Sequence, residues 1–279
     1  MFDYLKRHRS YCESRPTQTV DVDDIEVAYK SFGSGEPLVM ITGYIATMDL
    51  WDPLLVKTLT SKYRVVVFDN RGIGKTTGGS AEWTIDRFAD DTAGLIEALG
   101  LGGANILGWS LGGDVALSLA VRHPDRVKKL VIYAGDCGGP QKVDPPGYMD
   151  VLKEYRDVDA HFKRVFAGLF PPEWMERHPD YWRSFQLPCD IDSPISIMKQ
   201  DRAYDEWPGV YEKLTGIDMP VLVVTGTEDV STPPENATIL TGRIPHSWLV
   251  RFRGAGHGLQ YQYPIELAGV ITDFLENSK

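Results

Sequence analysis

Cysteine, basic tracts and long apolar runs are all scarce in this chain, and each shortage removes a class of protein. The three cysteines, Cys12, Cys137 and Cys189, cannot all pair with one another and have no metal-ligand spacing. That excludes a disulfide framework and a zinc module. No segment approaches the ~18 consecutive apolar residues that a membrane span requires. No basic cluster interrupts a formal charge of -10, which repels phosphate backbones and anionic lipid, so neither nucleic acid nor membrane is an expected partner. The first residues, Met1 to Arg9, carry charge where a secretory signal needs a continuous apolar stretch, and a soluble, cytoplasmic protein is expected. What is present is 279 residues, 43% of them hydrophobic, enough for one large α/β domain or two small ones.

The apolar residues fall into two patterns. Val20-Asp21-Val22 and Ile25 to Tyr29 alternate apolar and polar around Asp23-Asp24, which predicts an antiparallel hairpin with one wet face. Pro37 to Thr42, Tyr63 to Asp69, Ala104 to Trp109 and Lys129 to Ala134 are almost continuously apolar, as strands of a parallel sheet covered on both faces must be. Ile85, Phe88, Ala89, Thr92, Leu95, Ile96 and Leu99 keep helical spacing, predicting a helix from Thr84 to Leu99 that Gly100 stops. The alternation resumes with a strand over Pro220 to Gly226, a helix near Pro234 to Thr241, a strand over Ser247 to Phe252 and a helix from Pro264 to Leu275. Between the two halves, residues 137–219 are rich in proline and aromatics and break the rhythm. Core segments 1–136 and 220–279 with a helical cap at 137–219 are therefore expected, Phe162, Phe166, Leu169 and Phe170 sharing one helical face of that cap.

The chemistry is written in Gly108-Trp109-Ser110-Leu111-Gly112. An apolar strand ends there in a serine between two glycines, and helix-like sequence follows, which is the pattern of a nucleophile elbow. Gly108 and Gly112 allow the close backbone approach that such a turn requires. A serine hydroxyl needs an imidazole to take its proton. Of six histidines, His8, His123, His161, His178 and His246 lie at charged, capping or cap-segment positions, whereas His257 sits in Gly254-Ala255-Gly256-His257-Gly258, a loop leaving the last strand at the edge where Ser110 emerges. The imidazole needs a carboxylate in turn. Asp229, at the end of the preceding parallel strand, ranks first; Asp136, after the strand following the nucleophile helix, ranks second; Glu228 points the other way. Backbone donors for an oxyanion are expected at Leu111, after the nucleophile, and at Tyr44 in Thr42-Gly43-Tyr44-Ile45, where Gly43 lets the chain turn.

With these residues in place, the chain resembles the α/β-hydrolases of the esterase, lactonase and haloperoxidase-like group from Val20 to the C-terminus, the cap excepted. The resemblance implies a mostly parallel eight-stranded sheet with helices on both faces and an inserted helical cap, and it implies no cofactor and no metal. The family's serine, acid, histidine order falls on Ser110, Asp229 and His257, and its D-x-R-G-x-G turn on Asp69, Arg71, Gly72 and Gly74, with Arg71 tying loops together. Relatives commonly place His-Gly in the oxyanion loop where this chain has Thr42-Gly43, a change that keeps the amide donor and alters the loop's bracing.

The expected function is therefore serine hydrolysis of a small to medium, partly apolar carboxylic ester through an acyl-enzyme. Lactone hydrolysis, perhydrolysis, C–C bond hydrolysis and proline iminopeptidase-like activity stay open on the same triad. A serine at the nucleophile position argues against the dehalogenase and epoxide hydrolase branches, which use aspartate there. Asp69 to Thr76 resembles a phosphate-binding loop, but Asp69 replaces its opening glycine and Gly78-Gly79-Ser80 delays the helix that should hold the phosphate. A hydrolase fold kept for binding alone is the third possibility, which an intact nucleophile, base and acid argue against.

Overall fold

Eight strands form one sheet in the order β1-β2-β4-β3-β5-β6-β7-β8 in a computed structural model that describes residues 15–145, 167–179 and 193–279. β1 (Gln18–Val22) and β2 (Ile25–Phe32) are the predicted hairpin, and β2 also runs antiparallel to β4 (Tyr63–Phe68). From β4 the order continues through β3 (Glu36–Ile41), β5 (Ala104–Trp109), β6 (Val127–Tyr133), β7 (Val221–Gly226) and β8 (Ser247–Phe252), every pairing parallel.

The continuous apolar runs have a simple cause. Successive side chains on a strand point to opposite faces, and here both faces are covered. Val39, Ile41, Val66, Ile106, Ile132 and Val223 pack on one side with Phe88 and Leu95 of α2 (Ile85–Ala98) and Val115 and Leu119 of α3 (Leu111–Arg122). Met40, Val65, Val67, Leu107, Val131 and Leu222 pack on the other with Leu55 and Leu59 of α1 (Pro53–Leu59) and with Leu267, Ile271 and Phe274 of a C-terminal helix, Pro264–Asn277. Each fully buried side chain of this kind contributes about 1.5–3 kcal/mol. β8 has a neighbour on one side only, and Trp248 and Leu249 are exposed there.

Helix ends follow from local chemistry. Thr84 accepts a hydrogen bond from the Arg87 amide at the start of α2, and Gly100 takes φ 62° just past its end. Asp52 caps α1, its Oδ1 accepting from Leu54 N at 2.8 Å and Leu55 N at 3.1 Å.

Between β6 and β7 the described residues contribute no strand. They include α4 (Pro172–Arg177) and α5 (Pro194–Asp205), and Ala203, Trp207, Val210, Leu214 and Ile217 join the core on the α2–α3 side. Three further helices follow: α6 (Glu235–Arg243), the single turn α7 (Leu259–Gln262) and the C-terminal helix, α8. Of the expected helical face, Phe162 and Phe166 lie outside the described residues; Phe170 stacks on Trp174 at 4.4 Å between ring centroids. Among the described residues no helix is long and apolar enough to cross a membrane.

The D-x-R-G-x-G turn is a brace. Asp69 accepts from the amides of Met48 (2.7 Å) and Lys75 (2.9 Å), and Gly72, Ile73 and Thr76 donate theirs within the 69–77 loop or to it, so the amides that would cradle a phosphate are spent internally. The helix that follows starts only at Ile85, which removes the second requirement of a phosphate loop. The fully buried Arg71 grips Asp91 with two hydrogen bonds, at 2.6 and 2.7 Å, and pairs with Asp24 at 2.8 Å, joining the β1–β2 turn, the 69–77 loop and α2. That guanidinium, with the Ala81 and Ser80 amides, holds the Asp24 carboxyl well below the usual carboxylate range. A carboxyl depressed in the folded state stabilises the fold above its unfolded value, near pH 4, and loses that contribution as pH falls. Arg71→Met leaves Asp91 buried without its cation and should lower stability by about 3–5 kcal/mol in urea unfolding at pH 7. Burial already raises the Asp91 carboxyl, so the deficit should begin to shrink above pH 4 as the unpaired Asp91 takes a proton and go on shrinking below it; a variant as stable as the native chain contradicts the brace.

Candidate active site

Ser110 stands between β5 and α3 with φ 56° and ψ -128°, a conformation that costs a non-glycine residue about 1–3 kcal/mol. The surroundings enforce it. Ser110 N donates to Tyr133 O at 2.9 Å, and Gly113 N donates to Ser110 O at 2.6 Å as α3 begins. A Cβ on Gly108 would strike the Gly112 carbonyl, and one on Gly112 would strike the carbonyls of Ile41 and Thr42, so backbone lies on backbone from β5 to the end of β3. Gly43 continues that contact: a Cβ there would come within 3.1 Å of Ser110 Cβ. The Thr42–Ile45 loop is thus laid directly beside the serine. Leu111 N is the first amide of α3, with no helical carbonyl before it to bind.

The loop itself is tied from several sides. Thr42 Oγ1 donates to Ala46 O at 2.8 Å, and Asn70 Nδ2 donates to Thr42 O at 3.2 Å, so the threonine that stands in place of histidine braces the turn through its hydroxyl. Ile45 takes φ 50° and its amide donates to the Gln200 side chain at 2.6 Å, while the Tyr44 hydroxyl donates to Asp201.

The loops after β7 and β8 bring Asp229 and His257 together. His257 Nδ1 lies 2.9 Å from Asp229 Oδ2 and 3.2 Å from Oδ1, with both side chains almost wholly buried. Asp229 Oδ1 also accepts from the amides of Ser231 (2.9 Å) and Thr232 (2.8 Å), which aim the carboxylate at the ring. A carboxylate only accepts, so in the neutral ring the proton sits on Nδ1 and Nε2 is the acceptor. The histidine loop is fastened from beneath: Tyr133 Oη donates to His257 O at 2.5 Å, and the Trp109 indole donates to the same carbonyl at 3.3 Å, its ring 5.8 Å from the imidazole. Gly258 N donates to Leu169 O at 2.7 Å, and Ser231 Oγ donates to Gly168 O at 2.8 Å, so the 167–179 segment holds the loops of both Asp229 and His257.

Ser110 and His257 meet through Trp109, the residue before the serine, and share no direct hydrogen bond. Contacts of this kind commonly tighten only when substrate is bound. Asp136 does not reach the imidazole through any hydrogen bond. Its amide donates to Asp114 Oδ1 at 3.1 Å and its own carboxylate accepts from Gly138 N at 2.7 Å, beneath α3. Burial and the nearby Asp136 charge push the Asp114 carboxyl well up, and burial raises Asp136. Among the described residues no group of His, Cys, Asp and Glu has the geometry to hold a metal ion.

Sequence reasoning missed Tyr133, Gln200 and Asp201. Their partners lie 124, 155 and 157 residues away along the chain, a separation at which no spacing rule operates.

The comparisons agree with this architecture. A family model described as "alpha/beta hydrolase fold" matches residues 36–264, and the chain belongs to that family. It is 26% identical over 263 residues to a Synechocystis sp. protein assigned as a non-heme chloroperoxidase, covering 90% of this chain and 95% of that one. It is 27% identical over 258 residues to 2-hydroxymuconate semialdehyde hydrolase from Pseudomonas sp., covering 87% and 88%. The enol-lactonase of Burkholderia xenovorans shares the fold with a TM-score of 0.81 at 22% identity, over 93% of this chain and 100% of that one.

The elbow geometry predicts opposite outcomes for two glycine substitutions. Gly112→Ala must displace the Ile41–Thr42 backbone and should cost at least about 3 kcal/mol in urea unfolding, the upper end for overpacking. Gly269→Ala, at an exposed position in α8 with open space around it, should gain about 0.5–1 kcal/mol.

Proposed function

We propose that the chain is a serine hydrolase that cleaves small to medium, partly apolar carboxylic esters through an acyl-enzyme. Ser110 Oγ attacks the ester carbonyl as His257 Nε2 takes its proton. Asp229 holds the ring in the tautomer that exposes Nε2 and stabilises the imidazolium that results. The Tyr44 and Leu111 amides receive the oxyanion. His257 then gives its proton to the departing alcohol, and a water molecule deprotonated by His257 releases the acid and regenerates the serine. The segment between β6 and β7, whose described residues Gly168 and Leu169 bond the Asp229 and His257 loops, serves as the cap, and the aromatic content of the 137–219 sequence favours a partly apolar substrate.

The observation that carries the proposal is the 2.9 Å Asp229–His257 pair presented on the loops next to an elbow serine whose strain the fold maintains. Membership of a hydrolase family and a relative named for hydrolysis of 2-hydroxymuconate semialdehyde support the reaction class. No metal, cofactor or nucleic acid enters this scheme.

The test is a rate panel of p-nitrophenyl esters of increasing acyl length, with lactones and a proline arylamide beside them. Short to medium esters should turn over fastest; a clear preference for a lactone or for the arylamide would move the substrate class while keeping the triad. Ser110→Ala should abolish turnover at saturating substrate, and Asp229→Asn should lower kcat about 10³–10⁴-fold with the fold intact. Should Asp136→Asn be the crippling change and Asp229→Asn the mild one, the acid assignment is wrong.

A further inference from the structure

The oxyanion loop is held by consecutive side chains of one helix. Gln200 and Asp201 both lie on α5, in the segment between β6 and β7, and both reach the Thr42–Ile45 loop. Gln200 is wholly buried, and its Oε1 accepts the Ile45 amide proton at 2.6 Å; Asp201 accepts from the Tyr44 hydroxyl.

Ile45 explains why such a hold is needed. A β-branched residue at φ 50° is strained, and without a partner the peptide between Tyr44 and Ile45 relaxes by turning over. The loop offers neighbouring amides at Tyr44 and Ile45. Occupying the Ile45 amide leaves the Tyr44 amide as the one available to a substrate oxygen beside Ser110.

Gln200 also carries a cost that packing does not explain. Its Nε2 is buried without a hydrogen-bond partner, worth about 1–3 kcal/mol of destabilisation, which leucine or methionine at the same place would avoid. An acceptor is required there even though it brings an unused donor with it.

From this we infer that Gln200, seconded by Asp201, is a positioning residue that sets the oxyanion hole from α5, so that the segment between β6 and β7 also decides which amide stabilises the transition state. The inference rests on the serine-hydrolase reading given above. It makes the placement of α5 a determinant of kcat as well as of substrate fit.

The experiment uses the full chain and a p-nitrophenyl ester. Gln200→Met keeps the volume and removes the acceptor. It should lower kcat about 10–100-fold, short of the roughly 10²–10³-fold that follows outright loss of an oxyanion donor, with KM changed less than about threefold. Gln200→Glu, which keeps an acceptor oxygen at the same reach, should recover kcat to within about fivefold of the native chain. A native kcat in Gln200→Met overturns the inference, and so does a loss of kcat that Gln200→Glu shares in full. Should Gln200→Met fail to fold, Tyr44→Phe breaks the Asp201 tie while leaving the backbone amide in place; it should lower kcat about 3–10-fold, and an unchanged kcat overturns the inference. Ser110→Ala in the same assay separates the two readings. If Ser110→Ala is inert while Gln200→Met keeps native kcat, only the positioning role falls; if Ser110→Ala still turns over, the serine-hydrolase reading falls and the positioning role with it.

Discussion

Backbone pressed against backbone where β5 turns into α3 is the contact from which the rest of the site follows. Gly108 meets Gly112, and Gly112 meets the carbonyls that end β3, with no room for a Cβ at either position. Packed interiors do not deform smoothly, so the turn between them has little freedom. Ser110 is left at φ 56°, half-buried, with its neighbours on both sides buried. The same contact puts Gly43 within van der Waals reach of the serine, which is why Ser110 and the Thr42–Ile45 loop come as a unit. A parallel sheet makes this possible because β3, β5, β6, β7 and β8 all deliver their loops to one edge.

Around that fixed point the other groups are held with unequal firmness. His257 is fastened through its carbonyl by Tyr133 and Trp109 and through its ring by Asp229, all buried. Asp229 is fastened by two amides of its own turn. The outer ties, Gly258 to Leu169, Ser231 to Gly168, Ile45 to Gln200 and Tyr44 to Asp201, all run to the segment between β6 and β7. That segment touches the loops carrying Asp229, His257 and Tyr44 at once. Its sequence can therefore shift the geometry of all three loops together.

Much of this is legible in the sequence. The strands read as continuous apolar runs because both faces of the sheet are covered, and α2 announced itself through its stripe, Thr84 and Gly100. α1 was legible in principle, since Asp52-Pro53 is a cap followed by the residue best suited to a first helical turn, but seven residues are too few for periodicity to register. β8 read like the other strands, yet it lies at the edge with Trp248 and Leu249 exposed, because a run of apolar residues does not say how many neighbours a strand has. Asp136 and Asp229 both follow parallel strands at the same edge, so the sequence ranks Asp229 first and keeps Asp136 as the alternative; the three-dimensional path turns Asp136 beneath α3 against Asp114 and brings Asp229 against the imidazole. Arg71 was legible as a tie but its partners Asp24 and Asp91 were not, for the same reason that Tyr133 and Gln200 were not. These contacts are set by how sheet and helices stack.

Covalent capture is the most direct test of the view that strain, imidazole and carboxylate together make one hydroxyl reactive. The native chain treated with an equimolar fluorophosphonate and digested for mass spectrometry should carry a single phosphonyl group, on Ser110, and unfolded chain should carry none. A folded chain that hydrolyses esters yet remains unmodified at Ser110, or is modified at another residue, would contradict the account.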